Sequence, residues 1–255
     1  MTGLYRKNPL LFALFWIAGY ILLIGATDTV SALIGIRQIA TLPALFLASL
    51  LLVGFIRKNG LWKRFGLCRN RGIGYARSLY LIPLAVIASS NLWGGVAINF
   101  PAHETTVIIL SMLLVGFVEE IVFRGLLFRA IAQRSLQSAV VISSLTFGLG
   151  HIVNFLTGAS VLETALQIVY ATSIGFLFTV FFVKSGSLVP CIVVHGIINA
   201  LSVFAAPGNS VDHTIQAALI TVVSVGYTIY LFMAVPGNAL EKGTADGSSA
   251  GDPSV

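Results

Sequence analysis

The chain has 255 residues, 57% of them hydrophobic and 9% charged, with a net charge of +6 and a mean hydropathy of +0.95. A soluble globular domain carries about a quarter charged residues, so the composition excludes one and predicts an all-α, polytopic transmembrane helix bundle. The basic residues cluster between apolar runs; this assigns them to membrane topology and anionic lipid and excludes nucleic acid as a partner.

Eight apolar segments follow in chain order: 9–27, 38–56, 78–98, 105–131, 137–156, 161–183, 187–205 and 213–236. A helix needs about 20 residues to cross hydrocarbon. Backbone polar groups in lipid must be satisfied within the segment, so each is expected as a membrane-spanning helix. The first follows Arg6 and Lys7, as a signal peptide would. Its apolar stretch is longer than a usual signal core and no small-x-small cleavage site follows, so it is read as an uncleaved span. The third is the weakest, interrupted by Pro83, Gly94 and Gly95.

The loop 57–77 holds Arg57, Lys58, Lys63, Arg64, Arg69, Arg71 and Arg77 without an acid, which puts it in the cytoplasm. Arg6 and Lys7 fall on the same side. Arg129 and Arg134 mark the cytoplasmic end of span four, and Lys184 the turn between spans six and seven. The opposite loops carry Asp28, Glu104, Glu163 and Asp212, with Arg37 as the one dissent. Both termini are therefore expected in the cytoplasm. Residues 1–236 read as one transmembrane domain, and 237–255, rich in Gly, Ser, Ala and Asp, as a disordered polar tail. Cys68 and Cys191 lie in unlike settings and make neither an expected disulfide nor a CxxC-type metal site. No CaaX motif ends the chain, so it is not expected to be prenylated itself.

An ionisable residue at the centre of a membrane helix costs roughly 2.5–3.5 kcal/mol, and such residues are functional candidates by default. The spans hold Glu119, Glu120 and Arg124 in the fourth, His151 in the fifth, and His195 with Asn199 in the seventh. Successive helical residues point about 100° apart, so the two glutamates face different directions. Glu120 and Arg124 are i and i+4 with the acid first, the favourable order for an ion pair. Their expected role is structural support. Glu119 has no partner on its own helix and must find one on another helix, in water or in a substrate.

His195 and Asn199 also stand at i and i+4, and could aim two donors at one point, as an oxyanion hole requires. Each polar residue alone also fits ordinary interhelical bonding; the set on three spans points to chemistry. Two chemistries stay open. Glu119, His151 and His195 are candidate ligands of a zinc ion with one position left for water. Alternatively, Glu119 is a metal-free general base on water, with His151 orienting it and His195 and Asn199 holding the oxyanion. Neither GxSxG nor HExxH occurs.

Three motifs stand in order on these spans: "EEIVFRG" (119–125) as EExxxR, "FGLGH" (147–151) as FxxxH and "HGIIN" (195–199) as HxxxN. The trio resembles the CPBP family, the CAAX proteases and bacteriocin-processing enzymes, also called type II CAAX prenyl endopeptidases or Abi proteins. The resemblance covers spans four to seven. It implies an eight-helix intramembrane endopeptidase whose site opens toward the cytosol, located in the cell membrane if the source is a prokaryote. Carried over by motif, Glu119 and His151 activate the water, His195 and Asn199 stabilise the oxyanion, and Glu120 and Arg124 support the site. The family has been described both as metalloprotease and as metal-free, so the implied cofactor is zinc or none. The implied partner is a peptide or protein substrate, prenylated in the family's best-known case.

Depth sets a condition on this site. His195 lies about eight residues from the cytoplasmic end of its span, roughly 12 Å, and Glu119 and His151 about fifteen, roughly 22 Å. They meet only if spans four and five tilt or run beyond the bilayer. Two other functions use the same polar residues. A transporter or ion pathway is one, disfavoured because no inverted repeat is visible. A non-catalytic peptide-binding or immunity scaffold is the other, weakened because every motif position is intact.

Overall fold

A computed structural model describes residues 2–68, 81–156, 158–208 and 210–235. Arg69, Arg71, Arg77, the first residues of the expected third span and the 237–255 tail lie outside the described residues. The protein is an all-α transmembrane bundle. Among the described residues, the β-type pairing is confined to an isolated bridge between Val96 and Ala205.

The helices are α1 (Thr2–Lys7), α2 (Pro9–Ile34), α3 (Thr41–Lys58), α4 (Ile82–Ala88), α5 (Ala102–Glu120), α6 (Arg129–Ala132), α7 (Leu136–Leu149), α8 (Val153–Leu156), α9 (Val161–Ser185), α10 (Val189–Leu201) and α11 (Ser210–Ala234). A π-helical segment, Ile121–Phe128, joins α5 to α6. Among the described residues, six stretches are long and apolar enough to cross a bilayer: Pro9–Ile34, Thr41–Lys58, Ala102–Ala132, Leu136–Phe155, Val161–Ser185 and Asp212–Ala234. Val189–Phe204 is a shorter apolar helix.

Local chemistry sets the ends of the long helices. Asn8 caps α2 by accepting the Leu11 N–H at 2.9 Å, Pro9 opens it, and Gly35 closes it in the left-handed region at φ 81°. Ser160 and Glu163 form a reciprocal capping box at the start of α9, and Gly186 ends it at φ 70°. Lys184, near that end, donates its Nζ to the Val235 carbonyl at 2.8 Å and so ties α9 to the end of α11.

The third expected span is broken in its described part. Pro83 starts the short α4, a 3₁₀ turn follows at Ser90–Leu92, and Gly95 turns the backbone at φ 111°. The polar residues here bind other elements. Asn91 donates to the Ile198 carbonyl at 2.6 Å, and Gln216 donates to Ser90 O at 2.7 Å. Asn99 donates to the carbonyls of Val203 and Ala205, both at 2.9 Å. The segment thereby secures the end of α10 rather than forming one continuous helix.

Apolar side chains gain little by leaving lipid, so membrane helices associate through small residues that let backbones touch. Two such contacts position the site. A Cβ on Gly116 of α5 would lie 2.5 Å from the Gly196 nitrogen of α10. A Cβ on Gly148 of α7 would lie 2.9 Å from the Ile168 carbonyl of α9. Within the π segment, Gly125 faces the Phe65 ring, which a Cβ would meet at 3.0 Å.

Candidate active site

The close approach at Gly116 and Gly196 decides what lies beside what. Glu119 and Glu120 follow Gly116 by about one turn, and His195 adjoins Gly196. The two carboxylates of α5 are thereby pressed against the imidazole of α10. The stretch from α5 through α6 is 31 residues long. That exceeds the ~20 residues a bilayer needs.

Glu120 and Arg124 are both wholly buried, and NH1 of Arg124 donates to Glu120 Oε1 at 2.8 Å. The expected i, i+4 pair is present. Arg124 also donates from NH2 to the Gly175 carbonyl at 3.3 Å, and its guanidinium lies 4.3 Å from the Phe147 ring centroid. The same Glu120 oxygen meets His195 Nδ1 at 3.0 Å. A carboxylate only accepts, so Nδ1 carries the hydrogen in that bond. Glu120 is thus occupied by two donors.

Glu119 stands differently. Its side chain retains 16% exposure, against 0% for Glu120. Its Oε1 accepts the hydroxyl of Tyr20, from α2, at 2.8 Å. Its Oε2 faces Nε2 of His195 at 3.6 Å, longer than a direct hydrogen bond. One oxygen is tied and the other points at an imidazole across a gap.

His151 lies in the 3₁₀ turn Gly150–Ile152 beyond α7. Its Nδ1 is 3.1 Å from the Phe147 carbonyl. A carbonyl accepts, so that nitrogen donates and Nε2 is left as the acceptor. The rings of His151 and His195 both meet Phe147 edge to face, at 5.4 and 5.5 Å between centroids. Phe147 therefore carries both histidines and Arg124. Asn199 is half-buried one turn beyond His195 and makes no hydrogen bond to Glu119, Glu120 or His195.

Tyr20 was not among the residues that sequence reasoning singled out. It lines an open apolar groove of about 510 Å³ together with Leu4, Phe12, Trp16, Ala48 and Leu51, between α1, α2 and α3. Its hydroxyl leaves that groove for Glu119. The donor types around Glu119, His151 and His195 would suit zinc, but among the described residues no three His, Cys, Asp or Glu side chains gather closely enough to hold one ion. The arrangement as it stands does not fit a zinc site. Cys68 and Cys191 are both free thiols.

Residues 101–201 match the family model described as type II CAAX prenyl endopeptidase Rce1-like. No curated protein and no solved structure matches the chain. The matched stretch opens just before α5 and closes at the end of α10, and so contains Glu119, Glu120, Arg124, His151, His195 and Asn199 but not Tyr20.

Proposed function

We propose that this chain, a multi-pass membrane protein carrying the Rce1-like CAAX protease domain over residues 101–201, is an intramembrane endopeptidase whose general base is Glu119. Oε2 of Glu119 takes a proton from a water, and the resulting hydroxide attacks the scissile carbonyl carbon. Nε2 of His151 accepts a second hydrogen bond from that water and orients it. The carbonyl electrons move to oxygen, where Nε2–H of His195 and the side-chain amide of Asn199 hold the oxyanion. The C–N bond then breaks, and Glu119 returns its proton to the leaving amine.

The observation that carries this reading is the division of labour between adjacent carboxylates. Glu120 is buried and bonded to both Arg124 and His195. Glu119 is more exposed and keeps one oxygen toward His195 across a 3.6 Å gap. In the oxyanion role His195 donates from Nε2 to the substrate oxygen, while its Nδ1 faces Glu120. No step is routed through a metal.

The apolar groove beside Tyr20 supports a substrate with an apolar tail, so a prenylated peptide is the first to test. The basic residues at the ends of α1, α3 and α6 support a cytoplasmic face on that side, with a peptide approaching from the cytosol. The test is cleavage of a prenylated peptide by vesicle-reconstituted protein. Cleavage by the natural chain, and a loss of about 100-fold or more in Glu119→Gln, are expected. Equal cleavage by both would refute the base assignment.

A further inference from the structure

Tyr20 lies on α2, 99 residues from Glu119 and outside the matched domain, yet its hydroxyl supplies the hydrogen bond that Glu119 Oε1 accepts. From this geometry we infer that Tyr20 is a positioning residue, which holds the Glu119 carboxylate with Oε2 turned toward His195. The inference rests on the reading of Glu119 as the base.

The physical need is specific. The last torsion of a glutamate is broad and roughly two-fold, so an untethered carboxylate samples many orientations. Oε2 is 3.6 Å from His195 Nε2, a separation that holds no direct bond and fixes nothing by itself. Glu120 cannot help, because a carboxylate only accepts and offers the neighbouring carboxylate no donor; its own donors, Arg124 and His195, both fall on Oε1. The remaining fixed donor on Glu119 is the Tyr20 hydroxyl.

Tyr20 stands between a groove and the carboxylate. The residue lines the α1–α2–α3 groove, and its hydroxyl is bonded to the carboxylate. α2 is the least buried of the six long helices, so its seating against the π segment is the means by which this hydroxyl arrives. A water in the same place would satisfy Oε1 but would not fix its direction. Tyr20 does not touch the reacting atoms and acts through Glu119 alone.

The experiment uses the full chain reconstituted in vesicles, with an apolar-tailed peptide as substrate. Tyr20→Phe removes the hydroxyl and keeps the ring, so the groove lining and helix packing persist. The expected result is a fall in kcat of about ten- to a hundredfold, a KM within twofold of the natural chain's, and an unchanged melting temperature. Tyr20→Leu, which removes the ring as well, should lower kcat at least as far and also raise KM. A purely structural role would move the melting temperature; a role in holding the tail alone would raise KM and leave kcat intact. Either result in Tyr20→Phe overturns the inference. Glu119→Gln is measured beside it. If that variant is inactive while Tyr20→Phe keeps full kcat, the positioning role fails and the base assignment stands. If Glu119→Gln keeps full activity, both fail.

Discussion

Replacing Arg124 by alanine tests the physical core of the site. The side chain is fully buried and among the largest that are. It neutralises Glu120 at 2.8 Å, donates to the Gly175 carbonyl at 3.3 Å, and lies over Phe147 at 4.3 Å and Phe178 at 5.9 Å. Removing one partner of a buried ion pair costs about 3–5 kcal/mol, because the other charge stays behind without compensation. His195 remains near Glu120, which places the expected loss toward the lower part of that range. For a chain of this size each kcal/mol moves the melting point by about 2–4 °C. Thermal unfolding of the detergent-purified variant should therefore come at least about 6 °C lower. Arg124→Ala combined with Glu120→Ala removes both charges and should be less destabilised than the two single losses added together. An Arg124→Ala protein with unchanged melting temperature, or strict additivity in the double variant, would refute the ion-pair reasoning.

Gly116→Val sets a side chain where a Cβ alone would meet Gly196 at 2.5 Å; α5 and α10 must part, and both folded yield and cleavage should fall well below those of Gly226→Val, whose Cβ meets nothing within 4 Å. Asn199→Ala should lower kcat more than it raises KM, since an oxyanion donor acts in the transition state; an equal effect on both would make Asn199 a binding residue. Chelator treatment should leave cleavage unchanged, and metal analysis should find no stoichiometric zinc in active protein. About one zinc per chain, lost on combining Glu119→Gln with His195→Ala, would make Glu119, His151 and His195 ligands instead.

Much of the bundle is written in hydropathy, because lipid forces each long apolar run into a helix. Spans one, two, four, five, six and eight appear within a few residues of their expected limits, apart from span one, which runs on to Ile34. The Glu120–Arg124 pair was legible for the same reason: both residues lie one turn apart on one chain. What escaped depends on contacts between distant segments. Tyr20 reads as one more aromatic in an apolar helix until α2 is seated against the π segment. The bond from His195 to Glu120 depends on how α10 is rotated about its axis, which spacing within one helix does not specify. The π segment at Ile121–Phe128 carries no periodicity signal of its own; Gly125, pressed on Phe65, is its one local mark. The described part of the third span is interrupted after α4, at the 3₁₀ turn and Gly95, and its Asn91, with Asn99 just beyond it, is engaged with carbonyls around the end of α10.

The central claim is that two neighbouring glutamates do different work, and one paired measurement tests it. Glu119→Gln and Glu120→Gln are each purified, and melting temperature and kcat are recorded side by side. The account requires Glu119→Gln to be folded with its stability intact and its kcat lowered by about 100-fold or more. It requires Glu120→Gln to lose stability, because Arg124 is left buried without a counter-charge. An active Glu119→Gln, or a Glu120→Gln as stable as the natural chain, would contradict it.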